Sequence, residues 1–350
     1  MKLIENMSIL PLDEYIKSKT NWDICLSCGS FEQRCLKSSE QFVKGGVSFK
    51  TSIIFNYKEE DPKKQKIKNI KKMKKNLCSI SKVTYVFNAD SVSLPSQGIK
   101  KFLIWLNKKE IDLKNKSILI DISTFTKSYF FLLIKILKEV YNCINLFIVY
   151  SEPGNYSKNE EKTQYVLTHG LDRVEPIPGF TGSSKKNKDA LIVILGFEGN
   201  KAYEVFDEVN PDITYAINGF PSFQSGWHQI SLENNLRFLN ESKAYNNLFF
   251  SPSLDPFETK HQIYQIVKKI NAEISDSNIV ISPLGTKMQA LGVLLFAINN
   301  REIKVVYPFP SYYVPEYSKN CGPSWICQVN FIEDWPNDSS LSEKISIQSK

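Results

Sequence analysis

Apolar runs rich in Val, Ile and Phe alternate with stretches of helical period along the whole of this 350-residue chain, and that alternation limits the fold more than any other feature. In the first half the runs are 24–28, 50–57, 82–88, 117–122 and 145–150. Helical patterns lie between them at 31–43, 61–76, 97–109 and 128–142. In the second half the runs are 190–197, 212–219, 247–253, 278–284 and 302–309, with helical patterns at 200–210, 230–242, 255–274 and 288–300. A strand with one wet face alternates polar and apolar residues. These runs are continuously apolar, so each strand is expected to be covered on both faces. The expected class is α/β with mainly parallel sheets.

The plan is written twice. The first strand of each half runs into Phe-Glu, at Phe31-Glu32 and at Phe197-Glu198. The fourth strand runs into Thr-Lys, at Thr126-Lys127 and at Thr286-Lys287. The fifth ends at Tyr150 and at Tyr307. Glu and Lys are 95 residues apart in the first copy and 89 in the second; Lys and Tyr are 23 and 20 apart. Three landmarks in one order at matching spacings imply an internal duplication, with a period far too long for a solenoid. The expected domains are 1–167 and 190–335, joined by a Pro- and Gly-containing linker at 168–189 and followed by a polar tail at 336–350.

Composition adds limits. No run of apolar residues is long enough for a membrane span, and the N-terminus lacks a signal-peptide core, so a cytoplasmic location is expected. The seven cysteines have no disulfide-framework spacing. Cys25 and Cys28 form a nominal C-x-x-C inside a strand and read as buried thiols, and no metal site or cofactor is expected. The net charge is +7, and eight lysines crowd into 61–76, with Lys63 and Lys75 near its ends. On a helix, Ile67, Ile70, Met73 and Leu77 would form the buried face and the lysines a solvated or polyanion-binding one.

The candidate site lies at the carboxyl ends of the strands, where loops and helix N-termini converge in open parallel sheets. Gly285 would let the backbone approach a ligand. Thr286 would cap the next helix or donate its hydroxyl, and Lys287 would add a cation beside the positive helix end. Thr126 and Lys127 repeat this in the first copy. Asp121, Ser123 and Thr124 precede them and read as ligand contacts or as helix caps. Ser30, Glu32 and Arg34 share a strand-to-helix joint, where Glu32 and Arg34 either pair with each other or face a ligand. Asn200 follows Gly199 in the matching joint. Tyr312, with Tyr313 and Tyr317, could stack on a base. Glu32, Asp121 and Glu198 are the candidate catalytic carboxylates, with Glu152 nearby in the pattern. No catalytic triad, metal-protease helix or P-loop is present.

Around 282–298, "SPLGTKMQALGVLLFAI", the sequence resembles the CRISPR-associated Rossmann-fold sensor domains and the related sensor modules of cyclic-oligonucleotide antiviral systems. The resemblance implies two tandem Rossmann-like domains and a nucleotide, such as a cyclic oligoadenylate, held by Gly285, Thr286 and Lys287, with Thr126 and Lys127 as counterpart. Phe125 replaces the glycine in the first copy, and Leu284 stands where a second glycine is usual. With no effector module recognisable in the sequence, a sensor's output would come from an effector protein partner or from an enzymatic site that the sequence does not reveal, and a homodimer is a further option. Two other readings stand beside it: an enzyme acting on a nucleotide or nucleotide sugar through Glu32, Asp121 or Glu198, and a nucleic-acid-binding protein using the lysines of 61–76.

Overall fold

The computed structural model describes residues 9–58, 61, 63–143, 145–156, 168–183, 186–274, 277–313, 318–329 and 331. In chain order the elements are β1 (Ile9–Pro11), α1 (Leu12–Ser18), β2 (Asn21–Cys28), α2 (Arg34–Lys44), β3 (Ser48–Asn56), α3 (Gln65–Ile80), β4 (Ser81–Asn88), α4 (Pro95–Lys108), β5 (Ser117–Asp121), α5 (Lys127–Glu139), β6 (Asn145–Tyr156) and β7 (Thr168–Thr181). They continue with β8 (Lys188–Ile194), α6 (Gly199–Val209), β9 (Ile213–Gly219), α7 (Trp227–Asn234), α8 (Leu236–Glu241), β10 (Leu248–Ser251), α9 (Pro256–Glu273), β11 (Ser277–Pro283), α10 (Lys287–Ala297), β12 (Lys304–Tyr313) and β13 (Ser318–Val329).

These strands form two sheets of one topology. The first runs β1-β13-β6-β5-β2-β3-β4 and the second β10-β9-β8-β11-β12-β7. Numbering the five parallel strands of each half separately, both sheets read 3-2-1-4-5, the Rossmann order. The protein is thus α/β with two mostly parallel sheets. In each sheet the order reverses between strands 1 and 4, at β2/β5 and at β8/β11, leaving a crevice where the two connections depart to opposite faces.

The sixth strands are exchanged. β7 follows the first half but pairs antiparallel with β12 in the second sheet. β13 follows the second half but pairs antiparallel with β6 in the first. The segment 168–189 was expected to be a linker. Most of it is strand, because an open sheet edge at β12 offers unpaired backbone groups that its Pro and Gly residues do not prevent it from satisfying. Likewise the last strand of the expected second domain completes the first sheet. The polar tail 336–350 lies outside the described residues.

The layers follow from the hydrophobic pattern. Leu12, Ile16, Phe42, Met73 and Leu77 place α1, α2 and α3 on the outer face of the first sheet. Ala202, Val205, Phe238 and Leu239 place α6 and α8 on the outer face of the second. Between the sheets, α4, α5, α9 and α10 share one continuous core, which contains Phe102, Phe131, Ile266 and Leu294. This explains why α10 is apolar on nearly every side, Gln289 excepted: every residue from Met288 to Ala297 is buried.

The outer thiol Cys25 belongs to one core and Cys28 to the other. Residues three apart on a strand point to opposite faces, so the C-x-x-C spacing cannot bring these thiols together on β2. Among the described residues no His, Cys, Asp or Glu cluster could hold a metal ion, and no helix is long and apolar enough to cross a membrane.

The lysine-rich segment is α3, with its buried face shifted from the expected one. Ile70, Met73 and Leu77 are buried, but Ile67 is 49% exposed. Lys66 takes the inner place: its ammonium donates to the Tyr57 carbonyl at 2.6 Å. That bond satisfies a buried charge that would otherwise be costly. The other lysines of the segment face solvent. Asn69 also turns inward and donates to the carbonyls of Ser30 and Phe31 at 2.9 and 3.2 Å. This helix therefore braces the loop after β2.

Candidate functional site

Four strand ends meet at one cleft. The loops after β2, β5, β8 and β11 all line it, and each leads directly into a helix: α2, α5, α6 and α10. Both topological switch points, one from each half, therefore open into the same space. Counting the part open to solvent, that space is ≈ 1100 Å³. Its charged lining is Arg34, Lys127, Lys201 and Lys287 against Glu32 and Glu198. The positive ends of four helix dipoles add to the cationic excess.

At the centre the two landmark lysines cross between the halves. Lys127 Nζ donates to the Gly285 carbonyl at 2.6 Å, and Lys287 Nζ donates to the Ser123 carbonyl at 2.6 Å. Burial pulls both amines down from 10.5 to about 7. At Lys127, Glu198 opposes the shift and Lys201 adds to it. At Lys287, Arg34 and Lys127 add to it and Glu32 opposes it. A carbonyl accepts a hydrogen bond but supplies no net negative charge, so neither bond neutralises the ammonium it holds. Lys127 Nζ also lies 5.9 Å from the centre of the Tyr307 ring.

Glu32 and Arg34 pair with each other. Arg34 Nε donates to Glu32 Oε2 at 2.7 Å and an Nη to Oε1 at 3.3 Å, a two-point contact between nearly buried side chains. Ser30 Oγ accepts from the Glu32 amide at 3.2 Å, and its carbonyl accepts from Asn69. This pair forms a rigid wall of the cleft. In the second half Glu198 occupies the matching place, and Lys201, which sequence reasoning did not single out, supplies the nearby cation. Its only signal was its position one turn into the helix that follows Glu198.

The joint at 284–287 is explained mainly by packing. Thr286 Oγ1 accepts from the Gln289 amide at 3.1 Å while the Thr286 amide donates to Gln289 Oε1 at 3.1 Å, a reciprocal capping box. The Thr286 hydroxyl donates in turn to the Ser253 carbonyl at 2.6 Å, so its capacity is largely used within the protein. A Cβ on Gly285 would meet Gln289 Oε1 at 2.5 Å, Ile194 Cγ2 at 2.9 Å and the Leu195 carbonyl at 3.1 Å. The glycine is there because the end of β8 passes close behind the turn. Gly285→Ala is accordingly expected to cost about 1–3 kcal/mol of stability by overpacking, read from urea denaturation. Thr126 has the same extended backbone but makes no capping bond through its side chain.

The remaining candidates fall in several places. Asp121 and Ser123 do not line the cleft. The Asp121 carboxylate accepts from the hydroxyls of Ser38 and Ser123 and from the Ser123 amide at 2.9 Å, and Ser123 Oγ accepts from the Ser151 amide at 2.7 Å. Burial raises the Asp121 carboxyl, with these hydrogen bonds opposing it. Asp121 thus joins β5 to α2 behind the cleft wall. Glu152 also lies away from the cleft and accepts from Trp325 Nε1 at 2.6 Å. Asn200 is exposed and outside the lining; Gly199 before it is required because a Cβ would lie 1.8 Å from the Asn234 carbonyl. Tyr312 lies on β12, but its side chain, like that of Tyr313 and all of Tyr317, is outside the described residues. The aromatic groups that do line the cleft are Phe31, Tyr57, Phe125, Tyr150, Phe197 and Tyr307, two of them the fifth-strand landmarks.

No family model matches the sequence, and none of the curated proteins matches it. Among solved structures, the chain is similar to one described as "Structure of a Type III CRISPR defence DNA nuclease activated by cyclic oligoadenylate", with a TM-score of 0.48 and 9% identity. The similarity covers 82% of this chain and 65% of that one, so this chain spans less than two thirds of its length.

Proposed function

We propose that the protein is a nucleotide-binding sensor of an antiviral defence system, and that its ligand is a cyclic oligonucleotide held in the cleft between the two halves. One observation carries this reading. Two Rossmann-type crevices converge on a single space, each contributing a helix N-terminus with a lysine at its first position. In such sheets the crevice at the switch point is the usual ligand site, and an N-terminus with a nearby cation suits a phosphate. A ligand with several phosphodiesters and several bases matches a lining that is cationic at its centre and aromatic around it. Tyr307 and Phe197 can stack on bases, at about 1–3 kcal/mol per base. The motif at 282–298 resembles sensor domains that take such ligands.

The test is a thermal melt of the full chain with a panel of cyclic di-, tri- and tetranucleotides, followed by chromatography of the ligand. The expected result is a rise in Tm of several degrees with one member of the panel, recovered chemically unchanged. No shift with any member would refute the sensor reading. A second reading is favoured by one feature: an amine near pH 7 beside Glu198 has the properties of a general acid or base. Conversion of the ligand during that incubation, lost in Glu198→Gln, would support an enzyme in its place.

A further inference from the structure

Each cleft lysine is bonded to the loop that carries the other. Lys127 holds the carbonyl of Gly285, two residues before Lys287. Lys287 holds the carbonyl of Ser123, four residues before Lys127. We propose that Lys127 and Lys287 are mutual positioning residues: each fixes the backbone from which its counterpart projects, so the pair works as one two-cation unit and takes a ligand with at least two anionic groups. The inference rests on the sensor reading for its ligand but not for its geometry.

The restraints on the two loops and the chemistry of an ammonium group support it. The loops concerned are already restrained on their other sides, 284–287 by the capping box and the close approach of β8, and 121–124 by the Asp121 and Ser151 bonds. Thr124 Oγ1 also ties the first of these loops to the Cys28 carbonyl at 2.6 Å, and from the opposite half each loop is reached by a lysine. An ammonium has three donors, and one bond to a carbonyl leaves others for a ligand. A lysine already held in place has also lost most of the rotamer freedom that binding would otherwise remove. A single phosphate gains from one such lysine. Two linked anionic groups gain from both, and the loss of either lysine misplaces the other.

Two measurements on the full chain separate the inference from the reading beneath it. The first is amide hydrogen exchange of the protein without ligand. Lys127→Met is expected to speed exchange at least tenfold in 284–289, on the far side of the cleft, and Lys287→Met in 122–127, with β2 and β8 unchanged. Lys127→Gln and Lys287→Gln provide the same comparison if either methionine variant folds poorly. Faster exchange confined to each variant's own loop overturns the proposal. The second is titration with inorganic phosphate, tripolyphosphate and cyclic tetra-adenylate. The expected order of stabilisation places phosphate far below tripolyphosphate, and the double variant binds no more than about threefold worse than either single one. Equal effects of phosphate and tripolyphosphate, no stabilisation by either, or losses that multiply in the double variant overturn it. Crossed exchange with tripolyphosphate binding but no nucleotide binding leaves the inference standing and removes the sensor reading.

Discussion

Lys287→Ala is expected to weaken binding of the cyclic oligonucleotide by at least about 30-fold, because truncating one partner of a desolvated charged contact costs about 2–5 kcal/mol. The ligand-free protein should lose little global stability in the same variant, the loosening being confined to 122–127. The direction of the proton linkage explains the contrast. The folded amine titrates at about 7, below its ordinary 10.5. Between those values the unfolded chain holds more protons than the folded one, so the contribution of Lys287 to stability rises with pH from 7 to 10.5 and is smallest below 7. Lys127 behaves alike. In the unliganded fold both ammonium groups are therefore a burden, and the alanine variant removes one of them. Ligand binding runs the other way. An anion favours the charged form, so binding above pH 7 takes up protons, and affinity should fall by up to about tenfold per lysine per pH unit between pH 7.5 and 9. Calorimetric titration in two buffers of different ionisation enthalpy gives the proton uptake directly. A pH-independent affinity would show that neither amine meets the ligand.

Phe131→Ala is expected to lower the unfolding free energy by about 3–5 kcal/mol, the usual cost of deleting a fully buried aromatic ring. Phe131 is fully buried on α5. Its ring centre lies 5.5 Å from that of Phe180, edge to face, and Phe180 sits on β7, in the second sheet. The cavity would thus open between the halves. Because the layer of α4, α5, α9 and α10 belongs to one core, the two sheets should unfold in a single transition and lose stability together. Trp22 and Trp105 report on the first half and Trp227 on the second, so urea denaturation of single-tryptophan variants checks the prediction. Separate midpoints, with only the first half shifted by Phe131→Ala, would show that the core does not couple them.

The parts legible beforehand were those that depend on local pattern. Strand 1 of each half ends near Phe-Glu and strand 4 near Thr-Lys in the structure, and Glu32, Arg34, Thr126, Lys127, Glu198, Gly285, Thr286 and Lys287 do gather at one cleft. Asp121 and Ser123 were legible as polar residues at a strand end, but not as a buried network facing Ser38 on α2. Which way a residue faces at or just past the end of a strand depends on a bend that no periodicity records. Ile67 and Lys66 show the same limit on a helix: they are adjacent, and only the position of the Tyr57 carbonyl makes the lysine the inner one. Tyr150 and Tyr307 were read as spacing markers, and their place in the lining required knowing where the fifth strands end relative to the first and fourth.

The amino-acid sequence by itself determined the alternation of strand and helix, the double burial of the strands and the duplication. Each of these is a statement about neighbours within one element or about its repetition at a distance. The tertiary structure alone decided that the two sixth strands change places and that Lys127 and Lys287 each reach into the opposite half. Those outcomes turn on which open sheet edge a strand completes and how two sheets face across four helices. Such contacts join residues more than 120 positions apart, and nothing in either segment's own composition names its distant partner.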